Sequence, residues 1–375
     1  MVKIIHTADI HLDSPFSLLD VQKAKIRKNE LRETFSDIIR LAESEKADIM
    51  VIAGDLFDND FVTKETTSFL VSMFASVPSC RFVIAPGNRD YIWGRSPYRK
   101  ENFSKNVYIF DKEQVSCFSF PEIGVDVYGY AFSSGSYTGN PLEKKLYLQK
   151  SRINILVAHA DVDGKSKYCP ISVSDMMKSG FDYIALGHSH AGSDKQTAGN
   201  TCYAYSGCPE GRSFDECGMK SVIIAELAKN STQISVNCRT SRTCKRHYES
   251  LTVDITGVSA QDGLFNAVKN AVEKEGFGED VLLRVRLIGT ISPETVLFPQ
   301  KLEASSLGLF YLEVVDDSVP LLNCEALKND ISIRGAFFRE MLPALQSEDE
   351  ATRRKAVAAL RYGLAALDGR PLSDM

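Results

Sequence analysis

Short apolar runs that end in polar residues recur along the first half of the chain. VKIIHTAD (2–9), ADIMVIAGD (47–55), RFVIAP (81–86), VDVYGYAF (125–132), INILVAHA (153–160) and DYIALGHSH (182–190) each read as a buried strand. Between the first three lie segments with helical periodicity. Over residues 20–46, Leu31, Phe35, Ile38, Ile39 and Ala42 fall on one helical face, and residues 63–77 read as a second helix. The alternation predicts an α/β sheet, a fold class that binds ligands at the carboxyl ends of its strands. The polar residues of these runs stand at those ends.

The pattern changes near residue 245. YESLTVDITG, AQDGLFNAVKNAVEKEG, VLLRVRLIGT, SPETVLFPQKLEA and LGLFYLEVV read as strand, helix, strand, helix and strand, a small α+β unit. From residue 324 the pattern is helical, with Val357, Leu360, Leu364 and Leu367 at 3-4-3 apolar spacing. The expected division is therefore 1–244, 245–323 and a tail of 324–375. The apolar stripes of 20–46 and 347–368 suit a homodimer contact and a partner helix, respectively, or equally the chain's own core.

Composition narrows the function classes. With 375 residues, 44% of them hydrophobic, the chain can bury a large core. A formal charge of −5 lacks the basic excess usual in nucleic-acid binders, although two divalent cations would offset most of it. No run approaches the ~20 apolar residues of a membrane span, so no membrane is expected and a cytoplasmic location is. Nine scattered cysteines without a CxxC pair read as reduced thiols.

Four of the six histidines stand at strand ends beside acidic or glycine-rich turns: His11 in DIH, His159 in VAHAD, and His188 and His190 in GHSH. Asp9, Asp55 in GDLFD and Asn88 in GNRD complete a set of seven donors, more than one tetrahedral ion needs. Carboxylates mixed with imidazoles suit Mn²⁺, Fe²⁺ or Zn²⁺ better than Ca²⁺. Taken singly the signals are weak. GDLFD also suits a helix N-cap, Asp58 also suits a first helical turn, and His6 reads as a core histidine.

In this order, DIH, GDLFD, GN, a lone strand-end histidine and GHSH resemble the calcineurin-like metallophosphoesterase superfamily. TADIHLDSPF, YIALGHSH and EGRSFDECGMKSV are most similar to the SbcD-type DNA-repair exonucleases, and the likeness is strong over about residues 1–230. The resemblance implies a sandwich of two mixed β-sheets flanked by helices, with a small α+β cap domain and a helical C-terminal tail. It also implies two divalent metal ions, with Mn²⁺ foremost: Asp9, His11, Asp55 and His190 on one, and Asp55, Asn88, His159 and His188 on the other. Its implied activity is hydrolysis of DNA phosphodiesters by an exonuclease or endonuclease working with an SbcC-like coiled-coil ATPase subunit. A small-nucleotide phosphodiesterase, or a metal-binding DNA-end scaffold with little turnover, are the alternatives.

The chain departs from the family pattern GNHD at Arg89. Arginine can fork onto phosphate oxygens but cannot cycle a proton, so Asn88, Arg89 and Asp58 are the catalytic candidates, with Asp90 and His6 as further proton donors. The following YIWGRSPYRKENFSK interleaves Tyr91, Trp93 and Tyr98 with Arg95, Arg99, Lys100 and Lys105, a mixture suited to single-stranded DNA.

Overall fold

A computed structural model of the chain describes residues 1–144, 146–164, 166–230, 233–292, 295, 297–321 and 324–367. The first of its two units, Met1–His247, is built on two six-stranded sheets. One runs in the order Gln233–Arg242, Ser221–Asn230, Val2–Thr7, Ile49–Ile52, Arg81–Ile84, Val107–Ile109. The other runs Gln196–Ala198, Thr201–Tyr205, Tyr183–Gly187, Ile153–His159, Val125–Gly129, Ser116–Phe120. Both are mixed: the inner strands are parallel, while Ser221–Asn230 pairs antiparallel with Val2–Thr7 and Ser116–Phe120 antiparallel with Val125–Gly129. This is the expected sandwich. The Ser221–Arg242 hairpin has no counterpart in the sequence reading, because its second strand is largely polar and half exposed.

Parallel register brings the strand ends together. Thr7 pairs with Ile52 and Ile52 with Ile84, so the chain leaves three neighbouring strands at one level, just before Asp9, Asp55 and Asn88. In the other sheet Gly187 pairs with His159, setting the start of GHSH beside that histidine.

The helix Val21–Ser44 begins at Asp20, whose carboxylate accepts from the backbone N–H groups of Gln22 and Lys23. Leu31, Phe35, Ile38, Ile39 and Ala42 are all buried in this unit. At about 1.5–3 kcal/mol for each fully buried large side chain, the stripe is committed to the chain's own core rather than to a dimer. That corrects the assembly reading of residues 20–46. Arg27 is buried on the same face, with its guanidinium 2.6 Å from both Glu30 and Glu210. Removing one partner would strand a charge in the interior.

His6 fastens the two sheets. Its Nδ1 accepts from the Tyr183 hydroxyl and its Nε2 donates to the Leu186 carbonyl, both at 3.0 Å. Burial pushes its pKa down to about 4. Because the folded value lies below the unfolded one, the unfolded chain binds the proton first. Stability is full above about pH 6.5 and is lost as the pH falls through about 4, by roughly 3 kcal/mol at ~1.4 kcal/mol per unit. Denaturant titrations at pH 7 and pH 4.5 should show a smaller loss for His6→Gln than for the parent; equal losses would place the effect elsewhere.

The second unit starts at Tyr248. A three-stranded sheet of His247–Asp254, Val281–Ile288 and Tyr311–Asp316 is covered by the helix Gln261–Glu275, which buries Leu264, Val268 and Val272. The expected helix over SPETVLFPQKLEA is confined to Gln300–Ser305, with residues 293–294 and 296 outside the described ones. Helices Cys324–Asn329, Ile333–Leu345 and Glu350–Leu367 close on Leu327, Phe338, Leu360 and Leu364. Leu360 and Leu364 of the expected partner-binding stripe therefore pack within the unit, Leu367 is exposed, and residue 368 lies outside the described residues. All nine cysteines are free. Among the described residues no helix is long and apolar enough to cross a membrane.

Candidate metal centre

The strand ends carry their polar residues through unusual backbone. Asp9, His11, Asp55 and His188 have φ of 53°, 50°, 52° and 95°. These left-handed conformations are costly for non-glycine residues and persist only where the surroundings over-determine them. The surroundings here do so. Asp9 N–H donates to the Gly54 carbonyl at 3.0 Å and His11 N–H to the Asp55 carbonyl at 2.9 Å. Buried Asp90 accepts from the N–H groups of Asp55, Leu56 and Gly87 and from the Tyr98 hydroxyl. Side chains at two glycines would not fit: a Cβ on Gly87 would sit 2.4 Å from Asp55 Oδ1, and one on Gly54 2.4 Å from His159 Nδ1.

The result is a cluster of acceptors. Ligating atoms of Asp9, His11 and His190 lie within 4.8 Å of one another, as do those of Asp9, Asp55 and His159. Asp55 Oδ2 stands between two histidines, 3.7 Å from His11 Nε2 and 3.5 Å from His159 Nε2. Asp9 Oδ1 is 3.8 Å from His190 Nε2, and the Asp9 carboxylate also accepts from His188 N–H.

Hydrogen bonding on the other side of each ring sets the tautomers. His159 Nδ1 is 3.0 Å from the Ala53 carbonyl, which can only accept, so this nitrogen carries the proton. His11 Nδ1 donates to Asp58 Oδ1 and His190 Nδ1 to Glu216 Oε1, each at 2.6 Å. Burial raises the Asp58 and Glu216 pKa values, but the histidine bonds and Arg212 outweigh it and hold both carboxyls below their ordinary range. In the neutral rings the three Nε2 atoms therefore present lone pairs. Two of these, on His11 and His190, face each other at 3.4 Å, and the third faces Asn88 Oδ1 at 2.8 Å. Acceptors pointed at acceptors are unfavourable unless a cation lies among them. The donor set thus fits divalent metal ions.

Burial tunes the set in the same direction. It lowers His11 to about 3 and His159 and His188 to about 4, keeping the rings in the neutral, ligating form. It also raises Asp55 to about 7 and Asp9 well above its usual value, so a cation is what would stabilise their charged forms.

The remaining candidates divide. His188 belongs to neither three-residue group; its ring lies 5.1 Å from that of His159 and 4.8 Å from that of Tyr168. Asp58 sits in the centre, six residues before the helix Lys64–Ser76, which removes the helix-turn reading. His6 and Asp90 are structural, one between the sheets and one under the loops. Arg89 is exposed; its backbone N–H donates to Asp55 Oδ1 at 2.8 Å and its carbonyl accepts from Asn59. In the basic-aromatic loop Tyr98 is buried against Phe57 and Tyr91 packs on the core of the second sheet, leaving Trp93, 42% exposed, as the aromatic open to solvent.

Sequence reasoning missed Glu216 and Arg212. Both lie in the EGRSFDECG stretch, but a spacing of 26 residues from His190 gives no periodic signal that Glu216 orients that ring. Glu216→Gln should keep the packing yet weaken metal binding about 10- to 100-fold, the usual cost of losing such an orienting partner. Metal-competition titration reads this, and unchanged affinity would refute the orienting role.

Residues 2–192 match the family model for calcineurin-like phosphoesterases. The chain is 28% identical over 305 residues to YhaO of Bacillus subtilis (strain 168), an uncharacterized metallophosphoesterase, covering 78% of this chain and 73% of that protein. It is 23% identical over 343 residues to the DNA double-strand break repair protein Mre11 of Saccharolobus solfataricus, covering 85% and 83%. Over 251 residues it is 24% identical to the SbcD component of the nuclease SbcCD of Staphylococcus epidermidis, covering 57% and 63%. With half of its length matched by the family model, this chain belongs to the calcineurin-like phosphoesterase family and is related to the SbcD component of the nuclease SbcCD and to Mre11.

Proposed function

We propose that the chain is a two-metal phosphodiesterase acting on DNA, an exonuclease or endonuclease of the SbcD type. The observation that carries this reading is the convergence of the Nε2 atoms of His11, His159 and His190 on the carboxylates of Asp9 and Asp55. Asp9, His11, Asp55 and His190 would hold one ion, and Asp55, Asn88, His159 and His188 would hold the other, with Asp55 shared. Two bound divalent ions, Mn²⁺ by the mixture of hard oxygen and imidazole donors, supply a lowered water pKa and charge neutralisation at the phosphate. Asp58 and Glu216 fix the tautomers of His11 and His190, and Asn88 offers a carbonyl oxygen without adding charge. Arg89 keeps a permanent positive charge at the edge of the centre. With His6, Asp90 and Asp58 engaged elsewhere, the leaving alkoxide takes its proton from solvent, and turnover is slow.

The relation to Mre11 and to the SbcD component of SbcCD supports DNA as substrate and DNA repair as setting. A coiled-coil ATPase of the SbcC kind is the corresponding partner. The burial of Tyr98 favours a second reading, a phosphodiesterase for small nucleotides, because it reduces the aromatic surface left for bases. Purified chain with Mn²⁺, assayed on single- and double-stranded oligonucleotides and on a small aryl diester, separates the two. Trp93→Ala should slow oligonucleotide turnover roughly tenfold, from the ~1–3 kcal/mol of one stacked base, and leave the aryl diester unaffected. Equal rates on both substrates would favour the small nucleotide. Absence of any diester turnover with metal bound would defeat both readings.

A further inference from the structure

Beside the metal centre the chain folds a cavity of about 320 Å³ between Ser193 and Asp194, which follow GHSH, the turn at Ser206–Cys208 and the start of the strand Ser221–Asn230. It adjoins the His190 support. Cys208, in its lining, donates its N–H to the His190 carbonyl at 3.2 Å, and its thiol lies 3.7 Å from Glu216 Oε2.

Lys220 lines this cavity while only 8% exposed. Its N–H faces Cys244 Sγ at 3.2 Å and its carbonyl accepts from Thr243, but among the described residues its ammonium has no hydrogen-bond or ion-pair partner. Its stem is buried while the ammonium itself stays accessible to solvent, so it can pair with an anion that enters the cavity. Asp194, the carboxylate in the lining, is exposed and makes no ion pair with Lys220 among the described residues. Hydroxyl donors do surround the space. Ser193 Oγ accepts from Tyr205 N–H and keeps its own proton to give. Among the described residues Ser221 and Thr240 make no side-chain hydrogen bond, and the pairing of Ile223 with Thr240 puts both on one face of the hairpin.

We propose that this cavity is a phosphate-binding site adjoining the metal centre, with Lys220 as its cation and Ser193, Ser221 and Thr240 as hydroxyl donors. A tetrahedral anion with several oxygens uses one ammonium and three hydroxyls better than a planar carboxylate does. Its occupation by a second phosphate of a substrate strand rests on the phosphodiesterase reading; the site itself does not.

The test is calorimetric titration of the full, metal-loaded chain with inorganic phosphate, at ionic strength matched with chloride. Phosphate at the metals contributes equally in every variant. Lys220→Met should weaken the remaining component about tenfold or more, the scale of a charged hydrogen bond, and Lys220→Arg should retain it. Identical isotherms for the parent and Lys220→Met overturn the site. If Lys220→Met fails to fold, Ser221→Ala with Thr240→Val reads the same cavity, and unchanged phosphate binding there overturns it equally. Competition by a short oligonucleotide assigns the phosphate to a strand; its absence assigns it to free phosphate or a nucleotide, and either keeps the site. Lys220-dependent binding without diester turnover would sink the catalytic reading alone.

Discussion

Asp55→Asn is expected to reduce bound metal from about two ions per chain to below about one, and to lower diester turnover by more than the ~10- to 100-fold cost of losing an orienting partner. Asp55 Oδ2 is the oxygen that stands between His11 and His159, so in the proposed assignment it would screen two cations from each other. The amide keeps the size of the side chain and can still accept from Arg89 N–H, which donates to Oδ1. What it removes is the charge. Burial already raises this carboxyl to about 7, so in metal-free protein the neutral amide should leave the melting temperature at pH 8 equal to or above that of the parent. Elemental analysis and thermal melting together separate lost metal from lost fold. A variant that retains about two ions would refute the shared role.

Arg89→His should restore a proton donor, raising oligonucleotide turnover up to about 100-fold while changing that of a nitrophenyl diester little. A sugar alkoxide leaves with difficulty unless protonated, whereas nitrophenolate needs no proton. The backbone at this position is held by Asp55 and Asn59 and the side chain is exposed, so the exchange leaves the loop in place. Parallel losses on the two substrates would mean instead that the guanidinium clamps the phosphate itself. No change on either would mean that it points away from the reaction.

The features legible in the sequence were those with a local signature. Asp9, Asp55, Asn88, His159 and His188 follow apolar runs short enough to be strands, and parallel pairing then sets them side by side. The helix from Val21 was legible because Leu31, Phe35 and Ile38 share a face, but a stripe does not say what covers it, and its cover proved to be the chain's own core. Tyr98 misled for a related reason. Its setting among arginines and lysines reads as a surface, yet its hydroxyl is bound to Asp90 and its ring to Phe57. Glu216 was illegible as a partner of the centre, since what matters about it is a contact with His190, 26 residues away in sequence. The left-handed φ at Asp9, His11 and Asp55 was hidden too, because nothing in those residue types demands it.

The pairing of Val2–Thr7 with Ser221–Asn230 makes the order of synthesis matter. The first strand leaves the ribosome long before the strand that covers its outer edge. At ~5–20 residues per second that delay is on the order of tens of seconds. Meanwhile its apolar Ile4 and Ile5 can pair with Ile49 and Met50 on one side only, and the opposite edge remains an open template for another chain. Fragments ending before the hairpin should therefore be held by chaperones or aggregate, and the newborn chain is most vulnerable just before its last sheet strands emerge.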